Sequence, residues 1–200
     1  MKGSRQAKRP VPRRPRNAAA TRAAILQSAR QAFARAGYDG AGVREIAKEA
    51  GVTAMLINRY FGSKEQLFGE VLREVMQSPT ILAADNLRSA DLAETLASTL
   101  VEVTKAGSTP LEGFLIMMYS AASRSAAAIG REQIQQHYQK VLASVLRGEQ
   151  REERAALVFA LVAGVQVMRQ IIGLSALADA DPRKLTRLLA PLFKHLIGEP

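Results

Sequence analysis

Residues 21–72, TRAAILQSARQAFARAGYDGAGVREIAKEAGVTAMLINRYFGSKEQLFGEVL, decide the fold of this chain of 200 residues. They predict three short helices and the start of a fourth, because apolar residues recur at steps of three and four. The segments VREIAKEA and TAMLINRYF, which begin at Val43 and Thr53, are joined by Gly51 and Val52. Two short helices joined at a glycine-containing turn are typical of a helix-turn-helix, whose second helix lies in the DNA major groove.

Residues with special backbone or capping roles mark the ends of these predicted helices. Gly37 follows the first apolar stripe and is predicted to end that helix with a positive φ, which glycine adopts without a Cβ penalty. Thr53 is a suitable N-cap for the third helix, because its hydroxyl can accept a hydrogen bond from a free backbone N–H. Ser63 and Gln66 fit a capping box at the start of the fourth helix.

In their order and spacing, the segments TRAAIL, AFARAGYDG, VREIAKEAGV, RYF and SKEQL resemble the DNA-binding domain of the TetR family of bacterial transcriptional regulators. The resemblance implies an all-α protein. It would have an N-terminal three-helix helix-turn-helix DNA-binding domain and a C-terminal helical domain for ligand binding and dimerisation. The alternative is a helical bundle in which a glycine-containing turn occurs by coincidence.

The chain departs from the family pattern at positions that contact DNA in other members. A Thr or Ser pair usually precedes the second helix, whereas this chain has Ala41 and Gly42, which offer no hydroxyl to a phosphate. Residues 55–58 are Met-Leu-Ile-Asn where the family usually has Gly-Thr-Leu-Tyr, and Tyr60 stands where His is usual. Lys64 matches a family Lys, so the resemblance implies that it contacts phosphate.

The side chains of the third helix indicate how it would read DNA. Met55 and Leu56 can pack on thymine methyl groups, and Asn58 can make a bidentate contact to adenine. Arg59 can reach the backbone or read guanine, and Arg44 matches a family Arg that contacts DNA in some members. We therefore expect A·T pairs at the contacted positions; the alternative is that Leu56 is buried and Asn58 binds only phosphate. The predicted DNA-binding residues are Arg44, Thr53, Ala54, Met55, Leu56, Asn58, Arg59, Tyr60 and Lys64, with Arg13, Arg14 and Arg16 of the N-terminal arm.

The net charge of +10 is concentrated at the N-terminus. Residues 1–17 hold seven basic and no acidic side chains. Because Pro10, Pro12 and Pro15 disfavour helix, we expect an extended or disordered arm. Such an arm can follow the phosphates or enter the minor groove, with release of counterions. The alternative is a solvated tail that aids solubility.

Composition favours helix and excludes several classes of site. Apolar residues make up 48% of the chain, with Ala and Leu dominant, and no run of period two predicts a strand. The absence of cysteine excludes disulfides, a thiolate nucleophile and Cys-based metal sites. His137 and His195 are isolated, and the sequence has no HExxH, GxSxG or phosphate-binding Gly-Lys loop. We therefore expect no enzymatic activity, no metal and no cofactor.

Neither the start of the chain nor its apolar runs predict membrane insertion. The start is basic and Pro-rich and lacks the apolar stretch of a signal peptide. The longest apolar run is AALVFALVAGV, residues 155–165, whereas about 20 residues are needed to span a bilayer. We expect this run to be a buried helix, and the protein to be soluble and cytoplasmic with no membrane partner.

We divide the chain into a basic arm (1–17), a helix-turn-helix DNA-binding domain (18–77) and a helical regulatory and dimerisation domain (78–200). In the last region, Asp91 and Thr109 each begin a capping-box pattern. The further helices predicted there are 127–147, 151–178 and one that starts at Asp181-Pro182 and ends near Gly198.

The last two helices carry the apolar surface that predicts dimerisation. The final helix follows the i, i+3, i+4 rule closely, and the helix before it is apolar around much of its surface, so it must be covered on more than one side. In TetR-like proteins the last two long helices form a four-helix interface, so the resemblance implies a homodimer. The alternative is the ordinary core of a single chain. The predicted interface residues are Val158, Leu161, Val165, Leu185, Leu188, Leu189, Leu192 and Phe193.

The resemblance also implies a small-molecule effector inside the C-terminal domain. Ligand cavities are usually apolar with a few placed polar groups, and Met adapts to varied shapes. Gln166 and Arg169 interrupt an apolar helix, which makes them the polar candidates; their alternative role is a buried hydrogen bond or an interface pair. For the Met and aromatic candidates the alternative is plain core. The predicted pocket residues are Phe114, Met117, Met118, Tyr138, Gln166 and Arg169.

These expectations combine into a sequence-specific, ligand-responsive repressor. It would bind a palindromic operator in double-stranded DNA as a homodimer and respond to a small molecule that the sequence does not identify. The alternative is a DNA-coating or architectural protein of low specificity, driven by the basic arm. A third possibility, a purely protein-binding role, predicts no DNA affinity.

Overall fold

The computed structural model describes residues 18–77 and 79–198, so the predicted arm with Arg13, Arg14 and Arg16 lies outside the described residues. In those two ranges every regular element is helical, which confirms the all-α prediction. The first four α-helices are α1 (Ala18–Gly40), α2 (Val43–Glu49), α3 (Ala54–Phe61) and α4 (Lys64–Met76).

The following α-helices are shorter and interrupted more often than the sequence predicts. They are α5 (Ala84–Leu87), α6 (Leu92–Val103), α7 (Glu112–Ser120), α8 (Arg124–Ile134), α9 (Lys140–Val145), α10 (Arg151–Gln166), α11 (Ser175–Ala178) and α12 (Pro182–Ile197). Two π-helical segments, Gln135–Gln139 and Val167–Ile171, follow α8 and α10 directly. The predicted single helix over 151–178 is therefore wrong beyond Ile171, where Gly173 takes a positive φ of 68° and turns the chain.

Capping side chains start several helices where the sequence places them. The Ser63 hydroxyl accepts a hydrogen bond from the backbone N–H of Gln66 at 3.2 Å, which is one half of the predicted capping box; the N–H of Ser63 donates to the carbonyl of Phe61 rather than to the Gln66 side chain. Asp91 and Asp181 cap α6 and α12 in the same way. Thr53 occupies the N-cap position of α3, but its side chain makes no capping hydrogen bond.

The capping box predicted at Thr109 is wrong. Helix α7 begins at Glu112 instead, and its N-cap residue makes no side-chain capping bond. In the preceding loop the Ser108 hydroxyl donates its one proton to the carbonyl of Lys105 at 2.6 Å, with the carbonyl of Val103 at 3.1 Å, and Gln170 Nε2 donates to the same hydroxyl at 3.1 Å. These bonds hold the segment before α7 as a loop.

Two apolar cores divide the helices differently from the predicted domains. Helices α1 to α4 form the first core around Phe33 and Phe68, and Ile116 of α7 and Ala126 of α8 join it. Helices α6, α9, α10 and α12 form the second core around Leu100 and Phe193. Helices α7 and α8 therefore pack on the N-terminal helices, although they belong to the predicted C-terminal domain. The boundary at residue 77 stays a prediction.

Candidate nucleic-acid interface and adjoining cavity

The turn between α2 and α3 is fixed from both sides. Gly51 has a φ of 63°, and the N–H of Val52 donates to the carbonyl of Ala47 at 2.9 Å. On the other side of α2, the Ser28 hydroxyl of α1 donates to the carbonyl of Ile46 at 3.0 Å. A small side chain at Ala47, which is buried, lets α3 cross α2 closely. The pair is thus held as a rigid helix-turn-helix.

One face of α3 is anchored in the core while the opposite face is open. Ile57 and Phe61 are buried, as predicted for the inward face. Met55 is 80% exposed, and Asn58 and Arg59 are also exposed. This face therefore offers one apolar side chain, Met55, beside the polar side chains of Asn58 and Arg59.

The remaining predicted DNA-binding residues lie around this open face. Thr53 and Arg44 are exposed, so both are accessible to a phosphate or a base edge. The other four are half-buried. Leu56 is one of them, so it can act either as a core contact or as a base contact. These four are Ala54, Leu56, Tyr60 and Lys64.

The ion pairs around α2 involve Arg35 of α1. Arg35 of α1 pairs with Glu45 at 3.2 Å and with Glu49 at 2.9 Å, and the hydrogen bond and charge of Glu49 raise the pKa of Arg35. The single positive charge of Arg35 therefore compensates one of the two negative charges. Within residues 18–77 and 79–198, no ion pair involves Arg44 or Arg59, so both guanidinium groups are available to phosphates.

The start of α4 is organised around Tyr38. The Lys64 ammonium lies over the Tyr38 ring, 4.5 Å from its centroid, a cation–π contact that positions the lysine. The Tyr38 hydroxyl donates to Glu65 at 2.7 Å. This hydrogen bond lowers the pKa of Glu65, and burial together with the same carboxylate raises the pKa of Tyr38. Lys64 is thus held next to α3, and it forms no ion pair with the residues that the structure describes.

A cavity of 560 Å³ lies where the two apolar cores meet. Its walls come from the end of α4, from α7, from the π-helical segment Gln135–Gln139 and from α10. Four of the six predicted pocket residues line it: Phe114, Met117, Tyr138 and Gln166. The cavity also touches α1 through Arg30, whose guanidinium forms an ion pair with Glu112 of α7. It is therefore in contact with the helices that carry α2 and α3.

The other two predicted pocket residues do not line this cavity. Arg169 is buried elsewhere: it donates to the carbonyl of Val101 at 2.7 Å, to the hydroxyl of Thr104 at 2.6 Å and to the carbonyl of Leu177 at 2.8 Å. A cation at the last carbonyls of α6 compensates the negative end of that helix. Arg169 thus has the buried hydrogen-bonding role that the sequence left as its alternative. Met118 is half-buried and lies outside the lining.

The predicted dimer-interface residues divide into buried and exposed groups. Five of them are buried within this single chain, where they pack in its core, and their part in an interface stays a prediction. These five are Val158, Val165, Leu185, Leu189 and Phe193. Leu161 is half-buried, whereas Leu188 is 70% exposed and Leu192 is 50% exposed.

The exposed side of α10 and α12 nevertheless carries large apolar side chains among its charged ones. Leu157, Met168 and Ile172 are exposed along α10 and the π-helical segment after it, and Leu188 and Leu192 are one turn apart on α12. The expectation of a buried helix at 155–165 is therefore only partly correct. By length and composition alone, the continuous helix Arg151–Ile171 could cross a membrane, but core helices of water-soluble proteins pass the same test.

Several cavity residues have no signal in the sequence. Arg30 lies on the polar side of α1 and Glu112 in the first turn of α7, 82 positions apart, and only the packing of α7 on α1 brings them together. Phe159, by contrast, is an aromatic residue of the predicted apolar helix and so carries a sequence signal; it lines the cavity beside Tyr138, with ring centroids 5.9 Å apart. Ile81 and Leu82 come from the segment after α4, where no periodicity indicated a wall.

Sequence comparisons cover both halves of the chain. The family model for bacterial regulatory proteins of the tetR family matches residues 25–71, and the model for the tetracyclin repressor-like C-terminal domain matches residues 90–197. The transcriptional repressor AcnR of Corynebacterium jeikeium is 44% identical over 61 residues, which are 30% of this chain and 32% of AcnR. The transcriptional regulator BetI of Vibrio campbellii is 26% identical over 151 residues, 70% of this chain and 76% of BetI.

Solved structures share the same fold at low identity. The multidrug binding protein EbrR, solved in complex with malachite green, superposes with a TM-score of 0.63 at 19% identity and covers 88% of this chain and 97% of its own. Since the two family models together match most of the chain and both fall on the helices described above, the chain belongs to the TetR family of bacterial transcriptional regulators.

Proposed function

We propose that this chain is a ligand-responsive repressor that binds a palindromic operator as a homodimer in the cytoplasm. The observation that carries the proposal is the open face of α3, where Met55, Asn58 and Arg59 are exposed while Ile57 and Phe61 anchor the helix in the core. An α-helix presented in this way fits the major groove of B-DNA.

The middle of α3 would read the bases. Residues around it would contact the DNA backbone. Met55 would pack on a thymine methyl group, and Asn58 would make two hydrogen bonds to adenine. Arg44, Thr53, Arg59 and Lys64 would bind phosphates and fix the register of the helix on the duplex. Ala54, Leu56 and Tyr60 would support these contacts from the half-buried edge of the helix.

The apolar side of α10 and α12 supports a homodimer. Exposed Leu188 and Leu192 on α12, together with Leu157, Met168 and Ile172, form an apolar surface of the kind that marks a protein partner. A second copy of the same surface would cover it, as two-fold symmetric interfaces are self-complementary. A dimer would also present two copies of α3 to two half-sites of a palindrome.

The cavity supports an effector that acts on DNA binding. It is lined by Arg30 of α1 and by Val75 and Met76 at the end of α4, and both helices pack against the helix-turn-helix. A molecule that fits the cavity differently in the DNA-binding and released arrangements would shift the equilibrium between them. BetI and AcnR are named as regulators of transcription, and EbrR as a protein that binds drugs, in keeping with this proposal.

Selection of binding sites from a pool of random duplex DNA, at physiological salt, tests the function. We expect enrichment of a two-fold symmetric motif with A·T pairs opposite Asn58, and a preference of about 10³-fold or more over random DNA. The variant Asn58→Ala, purified in parallel, should lose the preference at those pairs only.

The alternative function is DNA coating of low specificity by the basic arm, residues 1–17. Its support is the concentration of positive charge in that segment of the sequence. Under this alternative no motif is enriched, and binding falls steeply as salt rises. Deletion of residues 2–16 would then abolish most of the binding, whereas a sequence-specific repressor would keep its motif without the arm.

A further inference from the structure

The cavity contains a buried amide that lacks a partner. Gln166, the last residue of α10, is only 3% exposed, yet its Nε2 makes no hydrogen bond to any residue that the structure describes. A buried donor without an acceptor costs free energy, so native proteins rarely retain one without a reason. Because Gln166 lines the cavity, a ligand in the cavity can supply the missing acceptor.

A second neutral donor lines the same cavity. The Tyr138 hydroxyl makes no hydrogen bond to the described part of the chain, and burial raises the pKa of Tyr138 to about 12. The hydroxyl therefore keeps its proton throughout the physiological range and remains a donor. Both groups also adjoin π-helical segments, since Tyr138 lies within Gln135–Gln139 and Gln166 immediately precedes Val167–Ile171. Segments of this kind frequently occur at functional sites.

The buried part of the lining carries no formal charge. Val158 is fully buried, and the rings of Tyr138 and Phe159 stack with an interplanar angle of 28° to form an aromatic wall. The charged residues of the lining are Arg30, Glu74 and Glu112. All three retain contact with solvent, and Arg30 and Glu112 neutralise each other in an ion pair.

The charge of the lining argues against an ionic ligand. A carboxylate inside the cavity would lose its hydration without gaining a free cation, because Arg30 is already paired with Glu112. An ammonium group could donate to the hydroxyl oxygen of Tyr138, but Glu112 is already paired with Arg30 and the other carboxylate, Glu74, is exposed to solvent.

We propose that the cavity binds an uncharged, largely apolar organic molecule that carries a hydrogen-bond acceptor, such as a carbonyl oxygen, opposite the amide of Gln166. This proposal rests on the proposed function, since it names the chemical class of the effector. The aromatic wall favours a ligand with a ring, and the volume of 560 Å³ is within the usual range for small-molecule sites.

Calorimetric titration of the full-length protein with four matched probes tests the proposal. Benzophenone carries the carbonyl acceptor, and diphenylmethane has the same two rings without it. Diphenylacetate and benzhydrylammonium add a negative and a positive charge to that skeleton. We expect benzophenone to bind about tenfold or more tightly than each of the other three, the factor that one well-placed hydrogen bond supplies.

Two glutamine variants show whether the preference comes from Gln166. In Gln166→Leu the preference of the protein for benzophenone over diphenylmethane should fall to about one, because no acceptor is then required. Gln133→Leu is the matched control: Gln133 is also buried with an unpartnered amide atom, Oε1, but it does not line the cavity. This control should keep the preference. If Gln166→Leu does not fold, Gln166→Met serves in its place.

Three patterns of probe binding would overturn the proposal. These are equal affinity for benzophenone and diphenylmethane, tighter binding of either charged probe, and an unchanged preference in the Gln166 variant. Failure of all four probes to bind would also overturn it. None of these results would affect the enrichment of a palindromic DNA motif, so failure of this inference and failure of the proposed function are distinguishable.

Discussion

The backbone carbonyl of Tyr119 lies so close to Gly37 that a Cβ at this glycine would collide with it. Gly37 interrupts α1 with a φ of 66° and a ψ of −176°, a region of backbone space that is essentially restricted to glycine. The next residue continues the contact, because the N–H of Tyr38 donates to the Ser120 hydroxyl at 2.9 Å. Helices α1 and α7 therefore meet backbone to backbone.

Substitution of Gly37 should disrupt this contact. We expect Gly37→Ala to lower the free energy of unfolding by about 3 kcal/mol or more, from a strained φ plus a clash with rigid backbone. Gly107→Ala is the control, since Gly107 also has a positive φ, 77°, but nothing lies within 4 Å of the position of its Cβ. It should cost about 1–2 kcal/mol. Equal losses in urea unfolding would show that the contact with Tyr119 is unimportant.

Arg169 is predicted to act on stability rather than on ligand binding. Arg169→Leu would leave the buried carbonyl of Val101 and the buried hydroxyl of Thr104 without their donor, at a cost of about 2–4 kcal/mol. The affinity for a ligand of the cavity should stay unchanged, because Arg169 does not line it. A variant with native stability and lost ligand affinity would contradict this assignment.

The N-terminal half of the fold could be predicted because its signals are local. The Gly51 turn, the Ser63 cap and the spacing of Ile57 and Phe61 each depend on residues within a few positions of one another. The positive φ of Gly37 was predicted too, but the approach of Tyr119 was not, because it joins residues 82 positions apart. Contacts of that kind leave no periodic signal in one sequence.

The cavity lining and the exposed surface of the last helices also could not be predicted from periodicity alone. Periodicity identified the apolar face of α12, but it could not tell which of its leucines pack inside the chain and which remain exposed. Leu189 is buried and Leu188, its neighbour in sequence, is exposed, because α6 covers only one side of the helix. Likewise Gln166 and Arg169 both interrupt an apolar run, yet only Gln166 reaches the cavity.

The hydrogen bond from Tyr38 to Glu65 makes a small part of the stability depend on pH. Because this bond lowers the pKa of Glu65 in the folded state, its contribution is fully present above the unfolded pKa of Glu65 and is lost as the pH falls through the folded value. In Tyr38→Phe we expect the pKa of Glu65, measured by NMR titration, to rise towards its ordinary value. The destabilisation should be larger at pH 7 than at pH 3.

Tyr60→Phe is the matched control for that titration, since Tyr60 has no hydrogen bond to Glu65. It should leave the pKa of Glu65 unchanged. The effect of Tyr38→Phe on stability is expected to be modest, because the Glu65 carboxylate is close to solvent and water screens the interaction. If the pKa of Glu65 is unchanged in Tyr38→Phe, the helix N-terminus rather than Tyr38 lowers that pKa.

Two variants of the DNA-binding surface should distinguish a residue that reads a base from a residue that binds phosphate. Asn58→Ala is expected to cost about 1–3 kcal/mol on the selected operator and to relax the preference at one position of each half-site. Lys64→Ala should weaken binding equally on all sequences and reduce the slope of log K against log salt by about one per site. Arg183→Ala, which removes an exposed charge from α12, is the control and should change neither. A sequence-dependent loss in Lys64→Ala would contradict its assignment to phosphate.

The exposed leucines of α12 give the most direct test of dimerisation. Leu188→Asp combined with Leu192→Asp would put two charges into an apolar interface, so we expect a monomer by sedimentation at micromolar concentration. Helicity should be retained, because both side chains are exposed in the single chain. The control combines Arg183→Asp with Lys194→Asp, which changes two exposed residues on other sides of the same helix. Operator affinity should fall steeply in the first variant, because a monomer binds only one half-site at a time. A leucine variant that remains dimeric would move the interface away from α12.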